Sequence, residues 1–234
     1  MFNLPDVKIR RRTWIELANI PSTRLGWTLE DCVDVPEISL EDIHAWMTGV
    51  KNKTVIRNSQ DSNCGKGLMF WGTPGLGKTT LALAIIQELM LTLSLEQFDV
   101  KEKTVLVRPC YFITFNDVLS LKGSMMDGPT YEEERLYKGI LGECSHDAYN
   151  VRVLIIDDVG KEHAGLTGWQ KNMLHHVLRT RFNAGLPTII TTNVERKNWA
   201  ELYGESTESF VHEAYLYLPL LPTKGDLRKV EGLE

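Results

Sequence analysis

The chain has 234 residues, of which 43% are hydrophobic and 24% charged, a soluble globular composition with room for one α/β domain and a short extension. Its net charge of −5 excludes a surface that attracts nucleic acid as a whole, so DNA contact requires a local basic patch or assembly with a partner. No apolar run approaches the ~20 residues of a membrane span, and the N-terminus lacks a secretory h-region, so we expect a cytoplasmic protein without membrane contact. The four cysteines are scattered, which argues against a metal site or a disulfide framework.

Basic residues mark the start of the chain. Lys8, Arg10, Arg11 and Arg12 precede a short helix that we predict at Trp14–Asn19. The basic group suits contact with DNA phosphates or an acidic partner, and it equally suits a solvated terminus. The helix in turn suits either partner binding or packing against the rest of the protein.

A second helix is predicted before a polar stretch. Ser39, with Asp42 three residues later, has the pattern of a helix N-cap ahead of Ile43–Val50. Residues 51–66 are polar and lack apolar periodicity, which predicts a loop.

A phosphate-binding loop then occupies Gly72–Thr79, which reads GTPGLGKT and matches G-x-x-x-x-G-K-T. Gly67–Trp71 is predicted as a buried strand and Thr79–Leu93 as a helix, which gives the strand–loop–helix context that the motif requires. The glycines let backbone N–H groups turn inward, and the helix N-terminus adds its positive dipole end. Lys78 would neutralise the β- and γ-phosphates, and the Thr79 hydroxyl would contact Mg²⁺, so ATP and Mg²⁺ are the expected ligands. The residues predicted to bind the nucleotide here are Gly72, Thr73, Pro74, Gly75, Leu76, Gly77, Lys78, Thr79 and Thr80.

Beyond this loop, apolar strands alternate with helices. Such an order predicts an α/β protein with a mostly parallel sheet and helices on both faces. The predicted strands lie within Val105–Phe115, Val151–Asp157 and Pro187–Thr192, and the predicted helices within Asn116–Leu121, Tyr131–Cys144 and Trp169–Asn183.

Polar side chains follow two of these strands. Asp157 ends the run VRVLIID, where it would hold the magnesium ion beside the phosphate loop, and Asp158 follows as the base that polarises the attacking water. Asn193 ends the next strand and would orient that water near the γ-phosphate. The catalytic residues predicted in this way are Lys78, Asp158 and Asn193, and the metal ligands are Thr79 and Asp157.

Three segments can be compared with known families: the loop at Gly72–Thr79, IIDDVGKE at Ile155–Glu162 and PTIITTN at Pro187–Asn193. Together they resemble AAA+ ATPases, and more narrowly the DnaC/DnaI helicase-loader family with its phage relatives and the related IstB transposition helpers. The resemblance implies a P-loop NTPase fold with a mostly parallel five-stranded sheet flanked by helices, a short N-terminal helical extension and a reduced C-terminal lid. It divides the chain into a partner-binding extension and linker, 1–35, and an ATPase domain, 36–234.

Two arginines of this sequence match arginines of the same family. Arg228, in the sequence Gly225-Asp226-Leu227-Arg228, is similar to the sensor-2 arginine that reaches the γ-phosphate, and we expect it to bind nucleotide. Arg181 matches an arginine that the family carries on the helix before the sensor strand.

One family pattern is missing from this sequence. The loaders carry Gly-x-Arg-x-x-x-Arg after the sensor strand, but Ser206 and Phe210 stand at the arginine positions, and no arginine occurs between Arg196 and Arg228. Because an arginine finger is worth about 10³ to 10⁵ in rate, we expect slow hydrolysis unless a neighbour in a homo-oligomer or hetero-oligomer supplies the arginine in trans.

Three functions follow from these observations. The leading one is an ATPase that loads or recruits a hexameric replicative helicase onto single-stranded DNA during DNA replication, with DNA contact that is weak or depends on assembly. The alternatives are a transposition helper that selects target DNA, and a nucleotide-gated adaptor with little intrinsic hydrolysis.

Overall fold

The computed structural model describes residues 4–32, 35–56, 62–98, 107–161 and 167–220. Within this part of the chain a five-stranded, fully parallel sheet has the order β2-β3-β4-β1-β5, which confirms the predicted α/β architecture. The strands are β1 (Gly67–Trp71), β2 (Cys110–Thr114), β3 (Val153–Val159), β4 (Thr188–Thr192) and β5 (Tyr215–Pro219). The predicted C-terminal lid, with Arg228, lies outside the described residues.

Helices cover both faces of this sheet. Helix α3 follows the phosphate loop, as predicted. The segment after Asn193 forms two helices and the edge strand β5, and these three elements were not predicted from the sequence. The helices are α1 (Leu4–Leu17), α2 (Glu37–Lys51), α3 (Lys78–Thr92), α4 (Leu95–Phe98), α5 (Phe115–Ser124), α6 (Tyr131–Leu141), α7 (Gly168–Asn183), α8 (Trp199–Tyr203) and α9 (Glu205–Ala214).

The start of α2 differs from the prediction. Pro36 is the N-cap, and the Ser39 N–H already donates to the Pro36 carbonyl oxygen inside the helix, so the prediction that Ser39 caps it was wrong. The fixed φ of proline suits a helix start, and this outweighs the serine pattern three residues later.

Alternating strand residues build two apolar cores, one on each face of the sheet. Leu68 and Ile155 point to a core shared with α1, α2 and α3, whereas Met69 and Ile156 point to a core shared with α5, α6, α7, α8 and α9. Successive side chains of a strand face opposite sides, so a strand covered on both faces is apolar throughout. This explains why the central strands were recognisable as continuous apolar runs.

Helix α1 packs against the domain along one side. Trp14 is 1% exposed, and the Arg11 guanidinium donates to the carbonyl oxygens of Met90 (2.6 Å) and Leu93 (3.0 Å) at the end of α3. The Asn19 side-chain amide donates to the Phe112 carbonyl oxygen at 2.9 Å. Of the two alternatives for this helix, the contacts therefore favour packing.

None of the helices in the described ranges combines the length and apolarity that a membrane span requires.

Arg181 ties together the edge of the sheet at which β3 and β4 begin. Its side chain is 0% exposed, and its Nε donates to the Thr188 hydroxyl at 2.8 Å. Burial lowers the pKa of the Arg181 guanidinium to about 9, so the group remains cationic at neutral pH. Its other N–H groups donate to the carbonyl oxygens of Ile140, Val151, Arg152 and Pro187.

Candidate nucleotide-binding site

A cavity of about 280 Å³ lies at the opposite edge, where the strands end. Crevices at the carboxyl ends of parallel strands are the usual ligand sites of open α/β sheets. The cavity is lined by residues of the phosphate loop and α3, of β3, of the chain directly after β4 and β5, and of the segment before α2. These residues are Arg24, Trp27, Asp31, Cys32, Val35, Gly75, Leu76, Gly77, Lys78, Thr79, Thr80, Leu81, Asp158, Asn193 and Leu220.

The phosphate loop uses glycine where the backbone requires it. Gly75 (φ 91°) and Gly77 (φ 76°) adopt left-handed conformations, and Gly77 is also the N-cap of α3. A Cβ on Gly72 would lie 2.6 Å from the Leu220 carbonyl oxygen, so the loop and the chain after β5 approach too closely for any side chain. The backbone conformation and close packing of the loop therefore require glycine at these positions.

Lys78 begins α3 and points its ammonium group into the loop. The side chain is 7% exposed, and Nζ lies 2.8 Å from the carbonyl oxygens of both Gly72 and Thr73. The positive charge is thus concentrated at the helix N-terminus, where the dipole also favours an anion.

Asp157 occupies the floor of the site. Its Oδ1 accepts hydrogen bonds from the hydroxyls of Thr79, at 2.8 Å, and Thr191, and the side chain is 4% exposed. Burial raises the pKa of the Asp157 carboxyl, and the nearby Asp158 charge adds to this rise, whereas the two threonine hydroxyls oppose it. A bound divalent cation would therefore compensate for a charge that burial disfavours.

Asp158 lies at a β-bulge between β3 and β4. Ile156 pairs with Ile190 but Val159 pairs with Thr192, so Asp157 and Asp158 together face the single residue Thr191. Asp158 is left-handed (φ 58°), a conformation that aspartate tolerates better than most residues. Its N–H donates to the Thr191 hydroxyl at 3.0 Å.

Bulges beside active sites redirect side chains, and this one places Asp158 on the cavity wall. In a regular strand two successive side chains would point to opposite faces of the sheet. The Asp158 carboxylate also forms an ion pair with Lys161, on the turn that follows β3.

Asn193 directly follows β4 and lines the same cavity. Since β4 lies between β3 and β1, the structure brings Asn193, Asp158 and Lys78 to one site. Thr73 and Pro74 are exposed on the loop, and Thr80 is buried on the first turn of α3. Arg228, the predicted sensor-2 residue, lies outside the described residues.

Sequence reasoning missed one wall of the cavity. Arg24, Trp27, Asp31, Cys32 and Val35 come from the segment 1–35, which the resemblance assigned to a partner-binding extension and linker. The Arg24 guanidinium lies 5.3 Å from the Trp27 ring centroid, a cation–π arrangement. A tryptophan beside an arginine in a short loop is a weak signal, because nothing local indicates which surface it faces.

The donor set fits a nucleotide-bound magnesium ion. The described residues contain no group of three or more His, Cys, Asp or Glu side chains that could hold a metal, so a protein-only cage is not present there. Magnesium at phosphate-binding loops instead uses one hydroxyl, one carboxylate and phosphate oxygens. Thr79 and Asp157, which are joined by a hydrogen bond of 2.8 Å, could supply such a hydroxyl and carboxylate.

A parallel sheet, a glycine-shaped phosphate loop and acidic residues at the ends of strands define a P-loop nucleotide-binding protein. The sequence profile of the ATPase family associated with various cellular activities (AAA) matches residues 68–198. The match covers more than half of the chain, and the chain belongs to this family.

Several solved structures have a similar fold. A crystal structure of the DnaC helicase loader is 25% identical with a TM-score of 0.57, covering 86% of this chain and 100% of that one. DnaI is 20% identical with a TM-score of 0.55, covering 87% and 95%. DnaA from Aquifex aeolicus, bound to AMPPCP, is 16% identical with a TM-score of 0.52, covering 87% of this chain and 52% of that one. A comparison with curated protein sequences found no match.

Proposed function

We propose that this protein binds Mg-ATP in the cavity at the carboxyl edge of the sheet and uses it to load or recruit a replicative DNA helicase onto single-stranded DNA. The observation that carries the ATP site is the meeting of Lys78, Thr79, Asp157, Asp158 and Asn193 at one edge. The helicase assignment is supported by likeness over nearly the whole chain to a protein described as a DnaC helicase loader.

Each residue has a role that follows from its position. Lys78 and the loop N–H groups would bind the phosphates, and Thr79 with Asp157 would hold magnesium, which when bound neutralises charge on the phosphate oxygens. Asp158 would accept a proton from the attacking water, and the Asn193 amide would orient that water. The Lys161 ion pair keeps the Asp158 carboxylate at the end of β3.

A second candidate, a nucleotide-gated adaptor that hydrolyses ATP slowly, is favoured by the chain after β4. Phe210, which stands at one of the family's arginine positions, is buried in the second core. A side chain at this position could not reach another subunit. Arg196 lies 5.8 Å from the Tyr217 ring centroid and donates to the His212 ring. These contacts hold Arg196 against its own domain.

Co-purification with the replicative helicase tests the proposed loader function. With a non-hydrolysable ATP analogue and Mg²⁺, we expect the wild-type protein to retain the helicase, and the Lys78→Ala variant to retain little of it. Retention of a transposase instead would identify a transposition helper. Equal retention of the helicase by both proteins would contradict gating by nucleotide.

Turnover measured against protein concentration separates the enzyme from the adaptor. We expect slow, concentration-independent hydrolysis by the protein alone, and faster hydrolysis when DNA and helicase are added, because the stimulating arginine comes from a partner. A steep rise with concentration for the protein alone would show that it completes its own site. Tight ATP binding with no turnover under any of these conditions would favour the adaptor.

A further inference from the structure

A buried glutamine joins the helix of the phosphate loop to the linker wall of the cavity. Gln87 lies on α3 with its side chain 5% exposed, and it is the one polar residue among the buried residues of α3 from Leu81 to Met90. A buried amide in such surroundings is costly unless its donors and acceptor are satisfied. The partners of Gln87 therefore indicate why it occupies this position.

Those partners lie on the linker. The Gln87 Oε1 accepts a hydrogen bond from the Gly26 N–H at 2.8 Å. Its Nε2 donates to the carbonyl oxygens of Arg24 (3.0 Å) and Trp27 (3.4 Å), and also to Leu83 (3.3 Å) within α3. One side chain thus contacts the backbone of three of the four residues from 24 to 27.

The linker turn is held to α3 by this contact. Gly26 is left-handed (φ 84°) and exposed, and Leu25 beside it is also exposed, so burial does little to fix the turn. Yet the turn presents the side chains of Arg24 and Trp27 to the cavity. The hydrogen bonds between Gln87 and the turn connect this wall directly to α3.

We propose that Gln87 is a positioning residue for the nucleoside part of the ligand, an inference that rests on the proposed ATP site. The N-terminal end of α3 carries Lys78 and would bind phosphate, whereas Gln87 holds Trp27 and Arg24 as a flat wall suited to a base. One helix therefore sets the spacing between the phosphate subsite and the base subsite. Loss of Gln87 weakens recognition of the base and leaves recognition of the phosphates intact.

Calorimetric titration of ATP and of inorganic triphosphate, both with Mg²⁺, separates the two subsites. For Gln87→Met we expect an affinity for ATP about 10-fold lower and an unchanged affinity for triphosphate, since the size of the side chain is kept and only its hydrogen bonds are lost. A merely structural defect in α3 would weaken both ligands equally, and that outcome would overturn the inference. Gln97→Met, on the exposed side of α4, is the matched control and should bind both ligands like wild type.

A double substitution tests whether Gln87 acts through Trp27. We expect Trp27→Ala to lose ATP affinity to a similar extent, and the Gln87→Met/Trp27→Ala protein to bind no more weakly than Trp27→Ala alone. Additive losses would mean that Gln87 acts by another route.

Gly26→Ala perturbs the same turn without touching the core. An added Cβ meets nothing within 4 Å, but φ 84° is strained for alanine, so the turn should shift and the affinity for ATP should fall in the same selective way. This variant decides the question if Gln87→Met does not fold. Unchanged ATP affinity in both variants would refute the role of Gln87, whereas a wild-type protein that binds no ATP would refute the proposed function itself.

Discussion

Charged side chains are buried both at the edge of the sheet where the strands begin and at the edge where they end, but their surroundings differ. At the edge where β3 and β4 begin, Arg181 donates to four carbonyl oxygens and one hydroxyl and is fully buried. At the edge where the strands end, Lys78 and Asp157 are hydrogen-bonded, but they lie beside a cavity and a left-handed aspartate. Saturated contacts mark the first edge as structural, whereas strain and an open cavity mark the second as functional.

Substitution of Arg181 should give the largest change in stability. Arg181→Met removes a donor from four carbonyl oxygens, although the Pro187 oxygen also accepts from the Leu154 N–H. At about 1–3 kcal/mol for each of the other three oxygens, we expect a loss of at least ~3 kcal/mol in the free energy of unfolding. Urea denaturation measures it. Arg179→Met, on the exposed side of α7, is the matched control and should stay within about 1 kcal/mol of wild type. Similar losses in both variants would mean that the buried contacts of Arg181 are not what stabilises this edge.

Substitution of Asp158 should affect hydrolysis and leave stability unchanged. Asparagine also tolerates the left-handed conformation, so Asp158→Asn keeps the bulge while removing the base. We expect turnover to fall about 100-fold or more, within the range typical of general bases, with ATP affinity unchanged. The measurement is single-turnover hydrolysis with the stimulating partner present. Turnover within a few-fold of wild type would assign the base to another residue.

Substitution of Asp157 should give the smallest change in stability, and this change should depend on pH. Burial raises the pKa of the Asp157 carboxyl in the folded protein. The stability that Asp157 contributes is therefore complete below the ordinary carboxyl pKa, and it is lost as the pH rises through the raised pKa. Without ligand, Asp157→Asn should therefore be slightly more stable than wild type at pH 7, and this advantage should disappear in acid. Thermal unfolding at several pH values measures the difference. A variant less stable than wild type at pH 7 would place Asp157 with Arg181 as a structural charge.

Much of the fold could be predicted from the sequence, because buried parallel strands are continuous apolar runs and the phosphate loop has a fixed spacing. The strand at Gly67–Trp71 was predicted at its observed bounds, and the helix after the loop to within one residue. Strand β5 was missed, since YLYLP follows directly on α9 without a turn between them.

The finer geometry of the site was not predictable, because it depends on tertiary contacts. The strand that ends in Asp157 was predicted to stop there, yet β3 continues to Val159 through a bulge set by its register with β4. The linker wall was missed for the same reason. Its position depends on Gln87, which lies 61 residues after Gly26 in the chain.

The central claim is that the carboxyl edge of the sheet is a magnesium-dependent ATP site, and ligand-induced stabilisation tests it most directly. With Mg-ATP at about 100 times its dissociation constant, the free energy of unfolding should rise by about 2.7 kcal/mol in wild type. No such rise should occur in Lys78→Ala, which loses the ammonium group that would bind phosphate but should still unfold cooperatively without ligand. Equal stabilisation of both proteins by Mg-ATP, or of neither, would contradict the claim.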